Sequence, residues 1–542
     1  METLTQDTIL KRLQDTVDDS VVSWDQVPHH SMMLNIDKAV SRFIFAIANN
    51  QKVLFVHDSD ADGIGTYLLS RFFLPYLNYH NFELIITNRS QGYGFVPKHL
   101  DDRLNNLPHL IITADNGITA IDACNRAEEL GVDVIITDHH QVDSVRGLPK
   151  AIVVDPHQEG CSFPYPEING TFVFWYFLSA VQEVAQVPID MRYEFLPELC
   201  LTTISDVMPL TGINRFIVRE GLKVFNSHHH QWVKTFWTMH DKDNVTAENL
   251  AFGLIPSINC TGRLTNAEES AMFMAQTDPK QSMVWLTYLK TLNDVRKKRQ
   301  LNLTKEIDSM YASWIDHPFI VIPGENFEKG ILGPVAGRLA ERYKKPVIVL
   351  SKNKAGDTYS GSGRSTGSVD LLGLLKDNTY VDKNRTGGHK AACGTSFPVG
   401  DLIPFWNELQ KETQALPESD YVDISKDCFG YLELRDIDFE LYSKIEAFQP
   451  FGQKFQKPTF QCEIYFKSIK FLGKDKIHQA VQIIDGIGTE FRGLYFFVTD
   501  EIKKKKKYLI EFTINQDDWK TDDKTKLVLH LKKIIKEIKV DE

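Results

Sequence analysis

The chain has no long apolar run and only a few scattered cysteines. No stretch approaches the roughly 18 apolar residues that a membrane-spanning helix needs. The first 20 residues, METLTQDTILKRLQDTVDDS, are polar and acidic, unlike a signal peptide. The seven cysteines stand singly and in odd number, which argues against a disulfide framework. These features indicate a protein without a membrane partner and favour the reducing cytoplasm.

The chain also lacks an excess of positive charge. Its 542 residues carry a net charge of −11, which by itself counts against a nucleic-acid partner. The charge is uneven, however. From Phe455 onward there are 18 Lys and Arg against 14 Asp and Glu (+4), whereas the remainder has 43 against 58 (−15). A basic C-terminal region could hold a polyanion while an acidic centre held metal ions. The length predicts two to four domains.

Five short apolar runs rich in β-branched residues occupy the first third of the chain. They are VLFV at 53–56, LIIT at 84–87, LIIT at 110–113, VIIT at 134–137 and AIVV at 151–154. None shows the polar alternation of a half-exposed strand, so each is typical of a parallel strand that is covered on both faces. Helix-like stretches such as TAIDACNRAEELGV separate them. The predicted fold class is α/β, with a doubly wound parallel sheet.

Three further units follow this sheet. Residues 282–315 keep the three-to-four spacing of one long helix, with an exposed centre, NDVRKKRQ. A smaller α/β unit with strands FIVIP and PVIVLS comes next and ends in glycine-rich segments. From about residue 455 the pattern changes to period two, in FQCEIYFKSIKFLG, KYLIEFTI and KLVLHLKKI. That pattern is typical of a small β-barrel of the OB type.

Polar side chains follow each of the five apolar runs. The runs lead into DSDAD at 58–62, NR at 88–89, ADNG at 114–117, DHH at 138–140 and DP at 155–156. In open parallel sheets, ligands bind beyond the carboxyl ends of the strands, so these groups should meet at one edge. Clustered carboxylates with an imidazole are typical of a site for two divalent metal ions, whose charge cancels the carboxylate repulsion. We expect Mn²⁺ or Mg²⁺, and the nitrogen ligand favours Mn²⁺.

With these motifs in place, the sequence resembles the DHH phosphoesterase superfamily and, within it, the RecJ family of single-strand-specific 5′→3′ exonucleases. The resemblance covers roughly residues 50–540. It rests on DSDADG, NRSQGYG, TADNGI, TDHH, FPYP, SDVMPLTGINR, IPSINCTGRL, GILGPVAGRLAERYKKPVIVLS, GSGRS, GGHKAACG and PFGQKFQKPTF. It implies four parts: a DHH phosphoesterase domain (1–280), a connecting helix (281–315), a DHHA1 substrate-binding domain (316–415), and a linker with an OB-like nucleic-acid-binding domain (416–542).

The resemblance also implies roles for individual residues. The implied metal ligands are Asp60, Asp62, Asp115, His139 and Asp206, with Asp115 bridging the two ions. The implied catalytic group is Asp58, at or directly behind the metal site, His140, facing the scissile phosphate, and Asp138, orienting a histidine. The implied substrate contacts are Arg89, Arg263, Ser362 and Arg364 on phosphates, and Gly387, Gly388 and His389 beside the strand. Tyr93 either stacks on a base or completes a turn, and both readings stay open.

Two positions depart from the family pattern. Asp155-Pro156 stands where relatives commonly have Asn-Pro, and a turn-forming aspartate is favoured there over a metal ligand. The segment NFEKGIL replaces a WHxGV pattern, so a Trp-His pair of the family is absent.

The resemblance implies a 5′→3′ exonuclease that hydrolyses single-stranded DNA to 5′-mononucleotides in DNA repair, recombination or replication. The expected substrate is the 5′ end of a single strand, with a single-strand-binding protein or a helicase as candidate partners. We expect a cytoplasmic monomer. Two alternatives stay open. One is a small-substrate phosphodiesterase acting on oligoribonucleotides or cyclic dinucleotides, which the chain length and OB-like domain disfavour. The other is an inactive replication scaffold, which the filled ligand positions disfavour.

Overall fold

The computed structural model describes most of the chain, in three sheets joined by helices. The described residues are 3–88, 92–142, 146–227, 230–240, 244–367, 369–417, 428–473, 478–496, 498, 502–504, 506–517 and 527–538, without the side chains of Ala312, Asn384 and His389. No helix in these ranges is both long and apolar enough to cross a membrane.

The first sheet has five parallel strands in the order β2-β1-β3-β4-β5. The strands are β1 (Val53–His57), β2 (Phe82–Ile86), β3 (Leu110–Ala114), β4 (Asp133–Thr137) and β5 (Ile152–Val154). Alternate residues of each strand enter two different apolar cores, one on each face of the sheet. In β1, for example, Phe55 packs in one core while Leu54 and Val56 pack in the other. The predicted doubly wound sheet is confirmed.

Helices cover both faces of this sheet and build a helical region beside it. They are α1 (Gln6–Thr16), α2 (Ile36–Ala48), α3 (Ala61–Phe73), α4 (Lys98–Asp101), α5 (Ile121–Glu129), α6 (Gly170–Ala185), α7 (Met191–Glu194), α8 (Leu196–Ser205), α9 (Gly212–Ser227), α10 (Gln231–His240), α11 (Ala247–Asn249), α12 (Ile255–Asn259), α13 (Thr261–Leu264) and α14 (Glu268–Met274). Helices α2 and α6 pack on one face and α5 on the other. The aromatic stretch of α6 is buried, because this helix lies between the sheet and its neighbouring helices.

A long helix connects the first sheet to the second. Helix α15 (Pro279–Met310) begins where Asp278 accepts a hydrogen bond from the backbone N–H of Gln281 (2.8 Å). It ends at Met310, five residues before the predicted end, and a separate turn, α16 (Ala312–Ile315), follows. The C-terminal part of α15 buries Leu303 and Ile307 in the core of the second sheet. The helix therefore carries packing contacts with both units.

The second sheet has the order β6-β7-β8-β10-β9, and β6 and β7 form its parallel pair. Its elements are β6 (Ile320–Gly324), α17 (Leu332–Tyr343), β7 (Val347–Lys352), β8 (Thr358–Arg364), α18 (Leu371–Asp377), β9 (Gly387–His389), β10 (Ala392–Pro398) and α19 (Leu402–Gln414). The glycine-rich segments thus form strands. Glycine is needed at 361, because a Cβ there would lie 2.5 Å from the side chain of Leu350.

The third sheet closes into a five-stranded barrel, as predicted. Its elements are β11 (Cys428–Tyr431), α20 (Phe439–Glu446), β12 (Thr459–Leu472), β13 (His478–Ile484), β14 (Glu490–Tyr495), β15 (Lys507–Gln516) and β16 (Leu527–Ile538). The order β12-β13-β14-β16-β15 returns to β12 through a β12–β15 pairing, and β11 adds to the edge of β12. Helix α1 buries Ile9 and Leu13 in the core of this barrel domain, so the N-terminal segment packs with the C-terminal domain.

Candidate metal centre

Three carboxylates follow β1 in a short turn at the carboxyl edge of the first sheet. Asp60 caps α3 and accepts hydrogen bonds from the backbone N–H groups of Asp62 (3.0 Å) and Gly63 (3.3 Å). The hydroxyl of Thr87, just beyond β2, donates to Asp58 Oδ1 (2.9 Å). Gly63 allows the turn to be this tight, since a Cβ there would lie 2.2 Å from the carbonyl oxygen of Asp58. The turn therefore directs the carboxylates of one short segment to one edge.

Asp62 is held by the N-terminus of α6. Its carboxylate accepts hydrogen bonds from Gly170 N (2.7 Å), Thr171 N (3.0 Å) and Thr171 Oγ1 (2.6 Å). The positive end of the helix dipole adds to these bonds. Burial and the neighbouring Asp60 raise the pKa of Asp62 to about 7, against the lowering effect of the Thr171 and Gly170 hydrogen bonds. The sequence does not indicate this role of Gly170 and Thr171, because the only local signal in NGT is the N-terminal cap of an apolar helix.

Asp115 follows β3 and adopts a left-handed backbone conformation with φ of +62°. Aspartate is one of the few residues that tolerate this conformation. Its Oδ1 is buried and has no hydrogen-bond partner among the described residues. Gly170 makes room for it, because a Cβ on Gly170 would lie 2.3 Å from this oxygen. Burial, followed by the charges of Asp62, Asp60, Asp58 and Asp206, raises the pKa of Asp115 well above its ordinary value.

His139 joins the carboxylates from the end of β4. Its Nε2 lies 3.3 Å from Asp115 Oδ1, 3.6 Å from Asp206 Oδ2 and 3.9 Å from Asp62 Oδ2. Asp206 enters from the last turn of α8, where it is the C-terminal cap. The structure thus brings together all five predicted metal ligands, within two groups of mutually close ligand atoms. These groups are Asp62, His139 and Asp206, and Asp58, Asp60 and Asp115.

The chemistry of these groups fits divalent cations. Asp206 Oδ2, like Asp115 Oδ1, has no hydrogen-bond donor within the described ranges, although both oxygens are inaccessible to solvent. A buried carboxylate oxygen without a donor is costly unless a cation neutralises it. Five carboxylates with one imidazole form an oxygen-rich set that suits Mn²⁺ or Mg²⁺. Asp115 lies within reach of both His139 and the Asp58–Asp60 pair and so connects the two groups of ligand atoms.

Asp138 and His140 form a second pair beside this cluster. Asp138 Oδ1 lies 2.7 Å from His140 Nδ1 and accepts the backbone N–H of His139 (2.8 Å), while Ile118 N donates to Oδ2 (2.9 Å). Burial would raise the pKa of Asp138, but the charge and hydrogen bond of His140 hold it below its ordinary range. Burial would lower the pKa of His140, but the charge and the hydrogen bond of Asp138 together outweigh burial and raise that pKa to about 10. The pair therefore favours a protonated His140 whose ring is fixed by Asp138.

Two other groups border the pair. The hydroxyl of Tyr93 lies 3.2 Å from His140 Nε2, and 53% of the Tyr93 residue surface is exposed. Asp155 is fully buried, and its Oδ1 accepts the backbone N–H of His157 (2.7 Å), which is the turn geometry favoured from the sequence. Burial and the charge of Asp138 raise the pKa of Asp155 to about 8.

Five of the predicted substrate-contact residues, Ser362, Arg364, Gly387, Gly388 and His389, lie on the second sheet. Arg364 Nη1 donates to Ser362 Oγ (3.1 Å), and both side chains border Gly333 of α17, whose Cβ would lie 2.8 Å from Arg364 Nη2. In β9, Gly388 has φ of +131°, and a Cβ there would lie 2.4 Å from the carbonyl oxygen of Ala392. Gly387 has nothing within 4 Å of its Cβ position. Arg89 lies outside the described residues, as does the side chain of His389.

Arg263 lies at the junction of the first two units. The preceding residue, Gly262, packs on the metal-site turn, since its Cβ would lie 2.3 Å from the carbonyl oxygen of Ser59. Gly330 of the second unit approaches equally closely, with its Cβ position 1.9 Å from the carbonyl oxygen of Arg263. A hydrogen bond from Ala61 N to Asn259 Oδ1 (2.8 Å) ties α12 to the same turn. The two units therefore meet directly beside the carboxylate cluster.

Comparison with known proteins agrees with this architecture. Family models match in three successive segments: the DHH family N-terminal domain at 52–204, the DHHA1 domain at 316–415 and the RecJ OB domain at 430–531. The single-stranded-DNA-specific exonuclease RecJ of Bacillus subtilis is 28% identical over 459 residues, which cover 83% of this chain and 57% of that protein. The protein of the same name from Escherichia coli is 26% identical over 496 residues, covering 85% and 83%.

Solved structures show the same fold. RecJ from Thermus thermophilus in complex with Mn²⁺ superposes with a TM-score of 0.74 at 21% identity, over 94% of this chain and 72% of that one. An exonuclease RecJ bound to manganese superposes with a TM-score of 0.58 at 24% identity, over 75% and 98%. With its DHH, DHHA1 and RecJ OB domains in this order, the chain is a RecJ-like member of the DHH/DHHA1 phosphoesterase superfamily.

Proposed function

We propose that this protein is a metal-dependent exonuclease that degrades single-stranded DNA from its 5′ end and releases 5′-mononucleotides. One observation carries the proposal: Asp60, Asp62, Asp115, His139 and Asp206 converge at the carboxyl edge of one sheet, beside the Asp138–His140 pair. The relatives that match most of the chain are named single-stranded-DNA-specific exonucleases, which supports the substrate.

The five ligands would hold two divalent ions, Mn²⁺ or Mg²⁺, and Asp58 belongs to the same cluster through Asp60 and Asp115. When bound, such ions generate a nucleophile from water near neutral pH and neutralise charge on the phosphate. The hydrogen bonds from Thr171 and Gly170 favour the ionised form of Asp62, against the effect of burial and of Asp60, and fix the direction of its carboxylate. Asp138 keeps the proton on His140 and aims the ring, so that His140 can donate a hydrogen bond to a non-bridging phosphate oxygen.

Substrate contacts are proposed on the surrounding elements. Arg263, Arg364 and Arg89 would bind phosphates through their guanidinium groups, with Ser362 oriented beside Arg364. Gly387, Gly388 and His389 would lie along the strand, and Tyr93 would meet it next to His140. The barrel would hold the following nucleotides, as OB domains do through stacking and backbone contacts. Specificity for single strands would follow from the close approach of the two α/β units at Gly330 and Arg263.

The cellular setting is also part of the proposal. We infer a cytoplasmic monomer that acts in DNA repair, recombination or replication, supplied with single strands by a helicase or a single-strand-binding protein. All seven cysteines are free, which supports a reducing compartment.

The test uses a single-stranded DNA 40-mer with a 5′ phosphate and a 3′ label, incubated with the protein and Mn²⁺, and with Mg²⁺ in parallel. We expect progressive shortening from the 5′ end, which Asp115→Ala abolishes. Hydrolysis of dinucleotides in preference to the 40-mer would instead identify a small-substrate phosphodiesterase. Lack of hydrolysis of either substrate would identify a scaffold, and equal activity of Asp115→Ala would refute the proposed metal centre.

A further inference from the structure

Asp206 is, like Asp115, a proposed metal ligand with a buried carboxylate oxygen that no described hydrogen bond supports. Asp62 accepts three hydrogen bonds, whereas Asp206 Oδ2 has no hydrogen-bond partner among the described residues. The position of the Asp206 carboxylate therefore depends on its backbone. That backbone ends α8 and enters a six-residue segment, residues 206–211, which we call the connector because it leads to α9.

The connector starts in a strained conformation. Val207, the residue directly after Asp206, has φ of +54°, and it is 63% exposed, so burial of its own side chain does not hold it there. A β-branched residue rarely adopts a left-handed conformation, and such strain persists only where the surrounding structure imposes it. Met208 N donates to the carbonyl oxygen of Thr203 (3.1 Å) and closes this helix end, and a further contact is needed to fix the path of the connector beyond Met208.

The barrel domain makes that contact. Residues 448–455, which precede β12 and which we call the joint loop, lie on the connector and on the start of α9. Leu210 N donates to the carbonyl oxygen of Gln453 (2.8 Å). Gly452 lies against Leu210 so closely that a Cβ would be 2.6 Å from its side chain. The connector is thus bonded to the barrel domain four residues after Asp206.

Arg215, in the first turn of α9, binds the same joint loop. It is 3% exposed, and its guanidinium donates to the carbonyl oxygens of Pro450 (2.7 Å) and Phe448 (2.8 Å). The guanidinium carbon lies 4.7 Å from the centre of the Phe455 ring. Its Nε donates to Asp19 of the N-terminal segment (2.8 Å). A buried arginine with four partners from two distant segments fixes both of them relative to α9.

We propose that Arg215 is a positioning residue for metal binding: through the joint loop it holds the connector in the conformation that aims Asp206 at the metal centre. Docking of the barrel domain and metal affinity are then coupled, and each favours the other to the same extent. The inference rests on the proposed function, since it requires Asp206 to be a metal ligand. It also accounts for two motifs without an assigned role, SDVMPLTGINR and PFGQKFQKPTF, as the two sides of one contact.

The test is Mn²⁺ binding to the full chain, measured by isothermal titration calorimetry on Arg215→Ala and on a matched control, Arg219→Ala. Arg219 lies one turn further along α9 and also contacts Asp19 (3.5 Å), but none of its described hydrogen bonds reaches the joint loop. We expect Arg215→Ala to weaken Mn²⁺ binding about 10-fold, as loss of groups that orient metal ligands does. Arg219→Ala should stay within about twofold. Excess Mn²⁺ should restore the nuclease rate of Arg215→Ala, because the variant keeps every ligand.

A second test changes the joint loop rather than α9. Gly452→Ala should also weaken Mn²⁺ binding, because its Cβ pushes against Leu210, while Gly486→Ala, with nothing within 4 Å of its Cβ position, should not. This pair decides the question if Arg215→Ala does not fold. Asp206→Ala is the reference. If it weakens Mn²⁺ binding while folded Arg215→Ala and Gly452→Ala bind like the wild type, the positioning role is wrong and the proposed function stands. If Asp206→Ala binds Mn²⁺ normally, the assignment of Asp206 itself is wrong.

Discussion

Removing the hydroxyl of Thr171 tests how the protein stabilises the buried Asp62 carboxylate for metal binding. It donates to Asp62 Oδ1 at 2.6 Å, and both residues are at most 2% exposed. Thr171→Val keeps the branched shape and removes only this donor. The backbone N–H groups of Gly170 and Thr171 remain, so Asp62 should keep its direction while losing part of the stabilisation of its charge.

The size of the effect follows from the kind of hydrogen bond that is lost. A hydrogen bond to a charged group contributes about 1.5–3 kcal/mol. Because two other donors remain, we expect a loss of about 2 kcal/mol, or roughly 30-fold weaker Mn²⁺ binding. The loss should also depend on pH. The Thr171 hydrogen bonds lower the pKa of Asp62, so removing the hydroxyl raises it and lets a proton compete better with the metal. The loss of Mn²⁺ affinity in Thr171→Val should therefore be larger at about pH 6.5 than at about pH 8.5.

The assay is calorimetric titration with Mn²⁺ at both pH values, followed by the nuclease assay at limiting Mn²⁺. Thr171→Ser is the matched control, because it keeps the hydroxyl and should bind Mn²⁺ nearly as the wild type does. Wild-type affinity in Thr171→Val, or an equal loss in Thr171→Ser, would refute the role assigned to this hydrogen bond.

Three further predictions address the carboxylate cluster, the Asp138–His140 pair and the β9 strand. Asp115→Asn should increase the urea unfolding free energy of the chelator-treated protein at about pH 8, because folding raises the pKa of Asp115 and its ionisation then opposes folding. This gain in unfolding free energy should vanish below the ordinary carboxyl pKa of about 4. A gain that persists there would contradict this explanation. Asp138→Asn should lower the pKa of His140 and move the alkaline fall of the pH–rate profile to lower pH, whereas an unchanged profile would exclude a protonated His140 from the reaction. Gly388→Ala should weaken single-stranded DNA binding in fluorescence anisotropy, because its φ of +131° and the nearby Ala392 carbonyl oxygen exclude a side chain. Gly400→Ala, which lies outside β9 and meets nothing within 4 Å, should bind single-stranded DNA normally, and similar behaviour of the two variants would show that β9 geometry does not matter.

The sequence by itself determined the first sheet and most of its functional edge. Strands β1, β3 and β4 are each short, apolar and covered on both faces, so composition alone predicts them. Because parallel strands present their carboxyl ends at one edge, the positions of Asp60, Asp62, Asp115 and His139 after those strands placed them together before any packing was known. The resemblance to a family added Asp206 and the phosphate contacts, which no periodicity indicates.

Tertiary structure alone decided the contacts between segments that are distant in the chain. The partners of Asp62, Gly170 and Thr171, lie 108 and 109 residues away. In the glycine-rich strand β8, the side chains of Leu350 and Leu371 fill the space beside Gly361 and Gly363. Helix α1 joins the barrel more than 400 residues later, and Arg215 meets the joint loop 233 residues on. Such contacts depend on the complementary shapes of the two segments and on the need to satisfy buried hydrogen-bond donors. Neither requirement leaves a periodic pattern in the local sequence.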